Sequence, residues 1–224
     1  MKQQQDDALL LRALPYSDSS LILHILTQHH GRISLMARGA RRAKSPFRAS
    51  LMPLHQLNIT WREPRTGNMG TLIDVQRLRP LLSEQKVLAG QALLAKASIL
   101  FPDGVHAGFE ELWNALHTLS HRPEDSGLMA ATWGMMLDAG WVGDFEHCWH
   151  CSEHIDLIET MFWRQAHLLC ESCANKQGLL LSSGCRKSLH THLSQTNIKL
   201  TKDYIQTWES MIQAAFQQHK TTKS

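Results

Sequence analysis

Four of the five cysteines fall into two pairs, Cys148-Trp-His-Cys151 and Cys170-Glu-Ser-Cys173, with eighteen residues between them. A two-residue gap lets both thiolates of a pair turn toward one point from a tight knuckle, and a second knuckle closes a tetrahedron around Zn²⁺. The spacing predicts a zinc module over 148–173 with Cys148, Cys151, Cys170 and Cys173 as ligands. His147, His150, His154 and His167 lie in or beside it. Zinc accepts imidazole as readily as thiolate, so one of them could take a cysteine's place. Four protein ligands leave no position for water or substrate, so such a metal would hold structure together and do no chemistry. Two disulfides are the alternative, and they need an oxidising compartment. Residues 1–7, Met-Lys-Gln-Gln-Gln-Asp-Asp, are polar with no apolar targeting segment, and no run approaches the length of a membrane span. A reduced, cytoplasmic protein without membrane attachment is expected. Cys185, outside both knuckles, reads as a small core residue.

The rest of the chain is long enough for one or two domains with a proper core, since 43% of its 224 residues are hydrophobic. A net charge of +3 is uninformative until it is divided by position. Residues 1–80 carry 12 Lys+Arg against 5 Asp+Glu, whereas 81–224 carry 11 against 15. The positive field sits on the N-terminal third, which suits a polyanionic partner there.

That third reads as strands. An apolar run from Leu9 to Leu14 ends at the turn cluster Pro15-Tyr-Ser-Asp18, and a second run, 20–27, ends at His29-His30-Gly31. Alternation from Arg32 to Arg38 puts Ile33, Leu35 and Ala37 on one face and the two arginines on the other. Leu57, Ile59 and Trp61 alternate likewise with Gln56, Asn58, Thr60 and Arg62, and a fifth candidate runs from Met69 to Leu78. Five short strands in so small a span suggest a barrel, and the OB-fold is the five-stranded barrel that binds oligonucleotides. Trp61 could stack on a base, but its face is shared with Leu57 and Ile59, which assigns it to the core.

Arg38 to Arg48 lies between the third and fourth strands, and counted from Arg32 the stretch to Arg48 holds six cations and no acid: Arg32, Arg38, Arg41, Arg42, Lys44 and Arg48. Gly39 and Pro46 make the segment a loop. Such a loop is either a solvated surface or an electrostatic handle for phosphates, indifferent to sequence and sensitive to salt.

From Leu81 the apolar period becomes helical. One helix is expected after a Ser83 cap, with Val87, Leu88, Leu94 and Ile99 recurring; a second carries Phe109, Leu112, Trp113, Leu116 and Leu119. A third, from Ser126 to about Ala139, places Leu128, Met129, Trp133, Met136 and Leu137 on one side. Beyond the cysteines come a helix near 185–193 and another after Thr201, with Trp208, Met211, Ile212 and Phe216 along one face. The tail 174–224 is basic again, 7 Lys+Arg to 2 Asp+Glu, so Arg186, Lys187, Lys199 and Lys202 could extend a phosphate track. The resulting class is α+β: a five-stranded OB-fold barrel over 1–80, then a helical domain over 81–147 and 174–224 into which the four-cysteine zinc module, 148–173, is inserted.

Pro15-Tyr-Ser-Asp-Ser-Ser20, Gly31-Arg32 opening a strand, and Arg38-Gly-Ala-Arg-Arg-Ala-Lys-Ser45 closely resemble the N-terminal domain of the RecO family of bacterial recombination mediators. Leu137-Asp-Ala-Gly-Trp141 running into the first knuckle resembles that family's helix-to-knuckle junction. The resemblance implies a non-enzymatic protein that binds single- and double-stranded DNA and anneals complementary strands. It also implies work with RecR to load RecA on strands covered by single-strand-binding protein. That family's helical domain is thought to take the acidic tail of single-strand-binding protein, yet 81–147 offers only the cations Lys86, Lys96 and Arg122. Capture of the tail would have to draw on cations of the C-terminal segment. Two other classes compete. An RNA-binding or translation-associated OB/zinc-ribbon protein shares the same charge and cysteine patterns. A nuclease needs clustered carboxylates for a catalytic metal, and Asp6, Asp7, Asp18, Glu63 and Asp74 are scattered.

Overall fold

The computed structural model describes residues 2–64, 66–195 and 199–221. The chain forms two compact units, Met1–Ser120 and His121–Ser224.

The first unit is built on a closed barrel of β1 (Gln3–Tyr16), β2 (Ser20–Thr27), β3 (Gly31–Ala37), β4 (His55–Arg62) and β5 (Met69–Pro80), in the order β1-β2-β3-β5-β4. The length of β1 makes closure possible. Gln3 to Ala8 pairs with β4 and Ala8 to Tyr16 with β2, the second ladder shifting register between Leu10 and Arg12. A bulge of this kind bends a strand and increases its twist, so that one strand can serve two neighbours. The parallel pairing of Ser34–Met36 with Met69–Thr71 joins β3 to β5. This is the OB-type barrel expected from the alternating strands. Leu10, Leu23, Ile25, Leu35, Leu57, Ile59, Trp61 and Leu72 fill its interior, and with Trp61 only 3% exposed its ring is core rather than a stacking surface.

β1 starts six residues earlier than the apolar run at Leu9 suggests. Its polar beginning is accommodated because Asp6, almost fully buried, is surrounded by donors. The His29 amide and ring nitrogen lie 2.8 Å from its two oxygens, the His30 ring nitrogen 3.1 Å away, and the Asp7 amide 2.9 Å away. A buried carboxylate persists only when its lone pairs are satisfied in this way. The histidine donors sit in the β2–β3 turn, twenty-odd residues along the chain, where no local pattern reveals them.

A single helical turn, α1 (Phe47–Ser50), follows the basic loop. α2 (Val87–Leu100) begins after a 3₁₀ turn at Glu84–Lys86, and the Ser83 side chain makes no cap bond, so the helix starts later than expected. α3 (Phe109–Ser120) packs against α2, which also touches β1. Helices α2 and α3 therefore belong to the barrel's own unit. Lys86 donates to the carbonyls of Leu119 and Ser120 at the end of α3.

The second unit gathers α4 (Glu124–Asp138), α6 (Ser183–Ser194) and α7 (Lys202–Thr221) with a small antiparallel sheet. Its strands are β6 (Met161–Arg164), β7 (His167–Leu169) and β8 (Leu179–Leu181), in the order β7-β6-β8. Trp133 of α4 is fully buried, with ring centroids 5.0 Å from Phe145, 5.6 Å from Trp163 and 6.2 Å from Trp208. Of the expected stripe α4 buries Met129, Trp133 and Met136, together with Ala130, Ala131 and Met135, while Leu128 and Leu137 are half-buried. The Ser182 side chain caps α6 by accepting from the Cys185 amide, and Thr201 accepts from the Tyr204 amide at the start of α7. At the other end of α6, the Arg122 guanidinium donates to the carbonyls of His192, Leu193 and Gln195. A cation meeting orphan carbonyls at a helix C-terminus also complements the helix dipole.

Candidate metal centre and nucleic-acid interface

The two cysteine knuckles have different backbones. Cys148 and Cys151 lie in a turn closed by Ser152 N–H to Cys148 O, with Ser152 in the left-handed region at φ 60°. Bonds from Cys148 N–H to Glu153 O and from Ile155 N–H to Glu146 O zip its flanks together. Cys170 instead leads into the one-turn α5 (Glu171–Ala174), which carries Cys173 and ends at left-handed Asn175. The Trp149 amide, donating to Leu168 O at 2.9 Å, ties one knuckle to the strand that delivers the other.

The four sulfurs consequently converge, all within 4.8 Å of one another. Ligands about 2.3 Å from a tetrahedral zinc stand about 3.8 Å apart, and the Cys151 and Cys170 sulfurs are 3.9 Å apart. This set could hold a metal ion. Among the described residues its ligand atoms are the four sulfurs alone, with no imidazole nitrogen. His147 is directed at Asp144, and His167 stacks flat on Trp149 with centroids 4.1 Å apart.

The electrostatics of the cluster suit a cation. Burial pushes the Cys148 thiol up, but amides of Cys151, Cys170 and His150 aimed at its sulfur outweigh that and bring it down to about 6. Cys173 is pushed up to about 12, first by its contact with Cys170 and then by burial and the other sulfurs. Neighbouring thiols cannot all ionise alone, and a dication that takes them as thiolates removes the conflict and releases their protons. Cys185 stays apart in the core, its thiol raised to about 11 by burial.

Arg186, adjacent to Cys185, is fully buried. Its guanidinium donates five hydrogen bonds: two to Phe145 O, and one each to Ile155 O, Asp156 O and Glu159 O. This side chain holds the backbone that leads into and out of the first knuckle. The reading of Arg186 as a phosphate contact is therefore corrected, because a guanidinium enclosed by carbonyls has no donor left for solvent. Lys187, one residue on, is exposed, as are Lys199 and Lys202. Helical geometry turns consecutive residues about 100° apart, so the sequence pair does not form one basic face.

The basic loop of the first unit is fastened at several points and open elsewhere. Ala40 is buried in the barrel core, with Phe47 and Leu51 packed against it. The Arg41 amide donates to Ser19 O at 2.9 Å and its guanidinium to Ser17 O at 2.8 Å. Successive turns from Gly39 to Arg42, Arg42 to Ser45 and Ser45 to Arg48 fold the intervening chain. Arg38, Arg41, Arg42, Lys44 and Arg48 are exposed and have no ion-pair partner among the described residues. Arg32 is a second correction. Its side chain is 12% exposed, pairs with Asp103 at 2.6 Å, and donates to the carbonyls of Ser98 and Phe101 at the end of α2. That cation secures the helix to the barrel.

Residues 1–81 match the family described as recombination protein O, N terminal. The barrel region thus belongs to that N-terminal domain family. The likeness to RecO proteins extends well past that domain. The DNA repair protein RecO of Vibrio parahaemolyticus is 32% identical over 168 residues, 70% of this chain and 65% of that protein. Its counterpart in Vibrio atlanticus is 28% identical over 176 residues, covering 74% and 69%. With the RecO of Thermodesulfovibrio yellowstonii, 25% identity spans 210 residues, 90% of this chain and 80% of the relative. No described helix is long and apolar enough to cross a membrane.

Proposed function

We propose that the chain is a recombination mediator of DNA repair that holds DNA through the backbone-anchored basic loop of its barrel. The observation that carries this reading is the set of five exposed cations, Arg38, Arg41, Arg42, Lys44 and Arg48, on a loop stapled to an OB-type barrel. A pinned loop presents its charges without the ordering cost of a flexible tail, and phosphate contacts of this kind are indifferent to sequence. Likeness to DNA repair RecO proteins supports extending the proposal to binding of single- and double-stranded DNA, annealing of complementary strands, and action with RecR to load RecA on strands covered by single-strand-binding protein in the cytoplasm.

The role is non-catalytic in this reading. Asp6 is occupied by His29 and His30, and Asp7 by Gln56 and Asn58, so the paired acids of β1 serve the barrel. The four cysteines hold structural Zn²⁺. The proposed functional division is 1–80 for DNA binding, 81–147 with 174–224 as the helical part, and 148–173 as the zinc module; it cuts across the compact units, since α2 and α3 pack in the barrel's own unit. Lys86 and Arg122 are committed to helix-end carbonyls, which supports a dock for the single-strand-binding protein tail on other cations.

Salt titration tests the loop. Each phosphate neutralised on a single strand contributes about 0.7 to the log–log slope of affinity against salt, so five contacts give roughly −3.5. Arg41→Ala with Arg42→Ala removes about two contacts and makes the slope shallower by roughly 1.4. An unchanged slope would show that the DNA lies elsewhere, and a preference for RNA over DNA of equal length would favour the RNA-binding class.

A further inference from the structure

The basic loop shares its end of the barrel with an aromatic ring and an apolar slot. Tyr16, the last residue of β1, is 52% exposed and sits opposite Ser20 across the β1–β2 turn. The two carbonyls that anchor Arg41, those of Ser17 and Ser19, belong to that same turn. Leu21, the next residue of β2, forms one wall of a cleft of about 330 Å³ whose other walls are Ala40, Arg41, Phe47, Arg48 and Leu51. Four of the six lining residues are apolar, and the remaining two are the arginines. An exposed ring, a cation, an apolar slot and a second cation thus lie within one turn and its bound loop.

Phosphate binding explains the arginines but neither the ring nor the slot. The apolar floor anchors the loop on the barrel core through Ala40, Phe47 and Leu51, yet that packing leaves an open cleft bordered by Arg41 and Arg48 and a half-exposed ring at the adjoining turn. The alternation matches the chemistry of a single strand, in which charged phosphates alternate with heterocycles whose faces are uncovered. In a duplex those faces are stacked on neighbouring pairs and only edges reach the grooves. We propose that this surface takes unpaired bases of single-stranded DNA, with Tyr16 as the stacking face and the cleft between Arg41 and Arg48 receiving an adjacent base. The inference rests on the proposed DNA-binding role of the loop and adds to it the means of telling a single strand from a duplex. Tyr16 suits this role physically: its ring has few torsions to immobilise, and stacking is tolerant of base identity because every base has a π face.

Three probes of equal length separate the contributions: a single-stranded DNA oligomer, the same backbone with abasic sites throughout, and a duplex. Binding is measured at fixed salt by fluorescence anisotropy. Wild-type protein is expected to prefer the base-bearing strand over its abasic counterpart. Tyr16→Ala is expected to weaken single-strand binding by about 5-fold or more, with abasic and duplex binding within about twofold of wild type, while Tyr16→Phe retains single-strand affinity. The variant leaves the barrel interior untouched, so an unchanged melting temperature accompanies this result. Equal binding of base-bearing and abasic strands by the wild type overturns the proposal. So does a Tyr16→Ala protein that loses all three probes equally or keeps its single-strand affinity. The Arg41→Ala/Arg42→Ala protein is run in parallel: a reduced salt slope there with no Tyr16 effect removes this inference alone, whereas an unchanged slope removes the loop reading beneath it.

Discussion

Replacing Arg186 by methionine separates a structural arginine from a DNA-binding one. The substitution keeps an unbranched apolar stem of similar length in α6 and removes five donors. The carbonyls of Asp156 and Glu159 belong to exposed residues and can turn to water, but those of Phe145 and Ile155 are buried. A buried acceptor left without a donor costs about 1–3 kcal/mol, so two of them set the loss at roughly 2–6 kcal/mol. The lower end already moves the melting temperature by about 4–8 °C for a chain of this size. It is also a large part of the total stability of a typical domain, about 5–15 kcal/mol. Because the freed backbone leads directly into Cys148, metal retention should fall along with stability. Urea unfolding monitored by tryptophan fluorescence, with zinc release followed by a chromogenic chelator, reads both. Arg186→Lys should recover only part of the loss, since an ammonium has three donors and lacks the planar fork. The reasoning fails if Arg186→Met keeps wild-type stability and metal while the salt slope of DNA binding becomes shallower.

Purified protein should carry one Zn²⁺ per chain, and Cys148→Ser or Cys173→Ser should lower both metal content and melting temperature, because binding energy at a site absent from the unfolded chain is folding energy; a metal-free preparation of full stability would end that assignment. Acid sensitivity should reside partly in Asp6. Burial alone would raise its pKa, but hydrogen bonds from the His29 ring and amide and from His30 hold it below the ordinary carboxylate value. A depressed folded pKa contributes stability that is present above the unfolded value near 4 and is lost as pH falls through the folded one. Asp6→Asn should therefore lower stability at neutral pH and flatten its decline below about pH 4; equal acid limbs in equilibrium unfolding of the two proteins would refute this.

The parts of the chain that can be read without coordinates are those in which neighbours in sequence are also neighbours in function. A C-x2-C pair turns on itself, so the converging sulfurs of Cys148, Cys151, Cys170 and Cys173 are visible in their spacing. Alternation in β3 and β4 dictates which side chains enter the barrel, and Trp61 follows Leu57 and Ile59 inward. The acid-free run Arg38–Arg48 is irregular up to Pro46, as Gly39 and Pro46 suggest, and only its end enters the single helical turn α1. Tertiary contacts decided what those charges do. Arg32 and Arg186 have the same side chain as Arg41, and nothing local distinguishes them; each became structural because chain distant in sequence brought unsatisfied carbonyls to its guanidinium. Asp6 entered the barrel for the same reason, since His29 and His30 arrive only once β2 has paired with β1. The reach of a charged side chain is several ångströms, while a sequence pattern records only its neighbours along the chain. Whether an arginine meets a carbonyl or solvent is therefore settled by which segments pack together, and that also seats Tyr16 beside the basic loop.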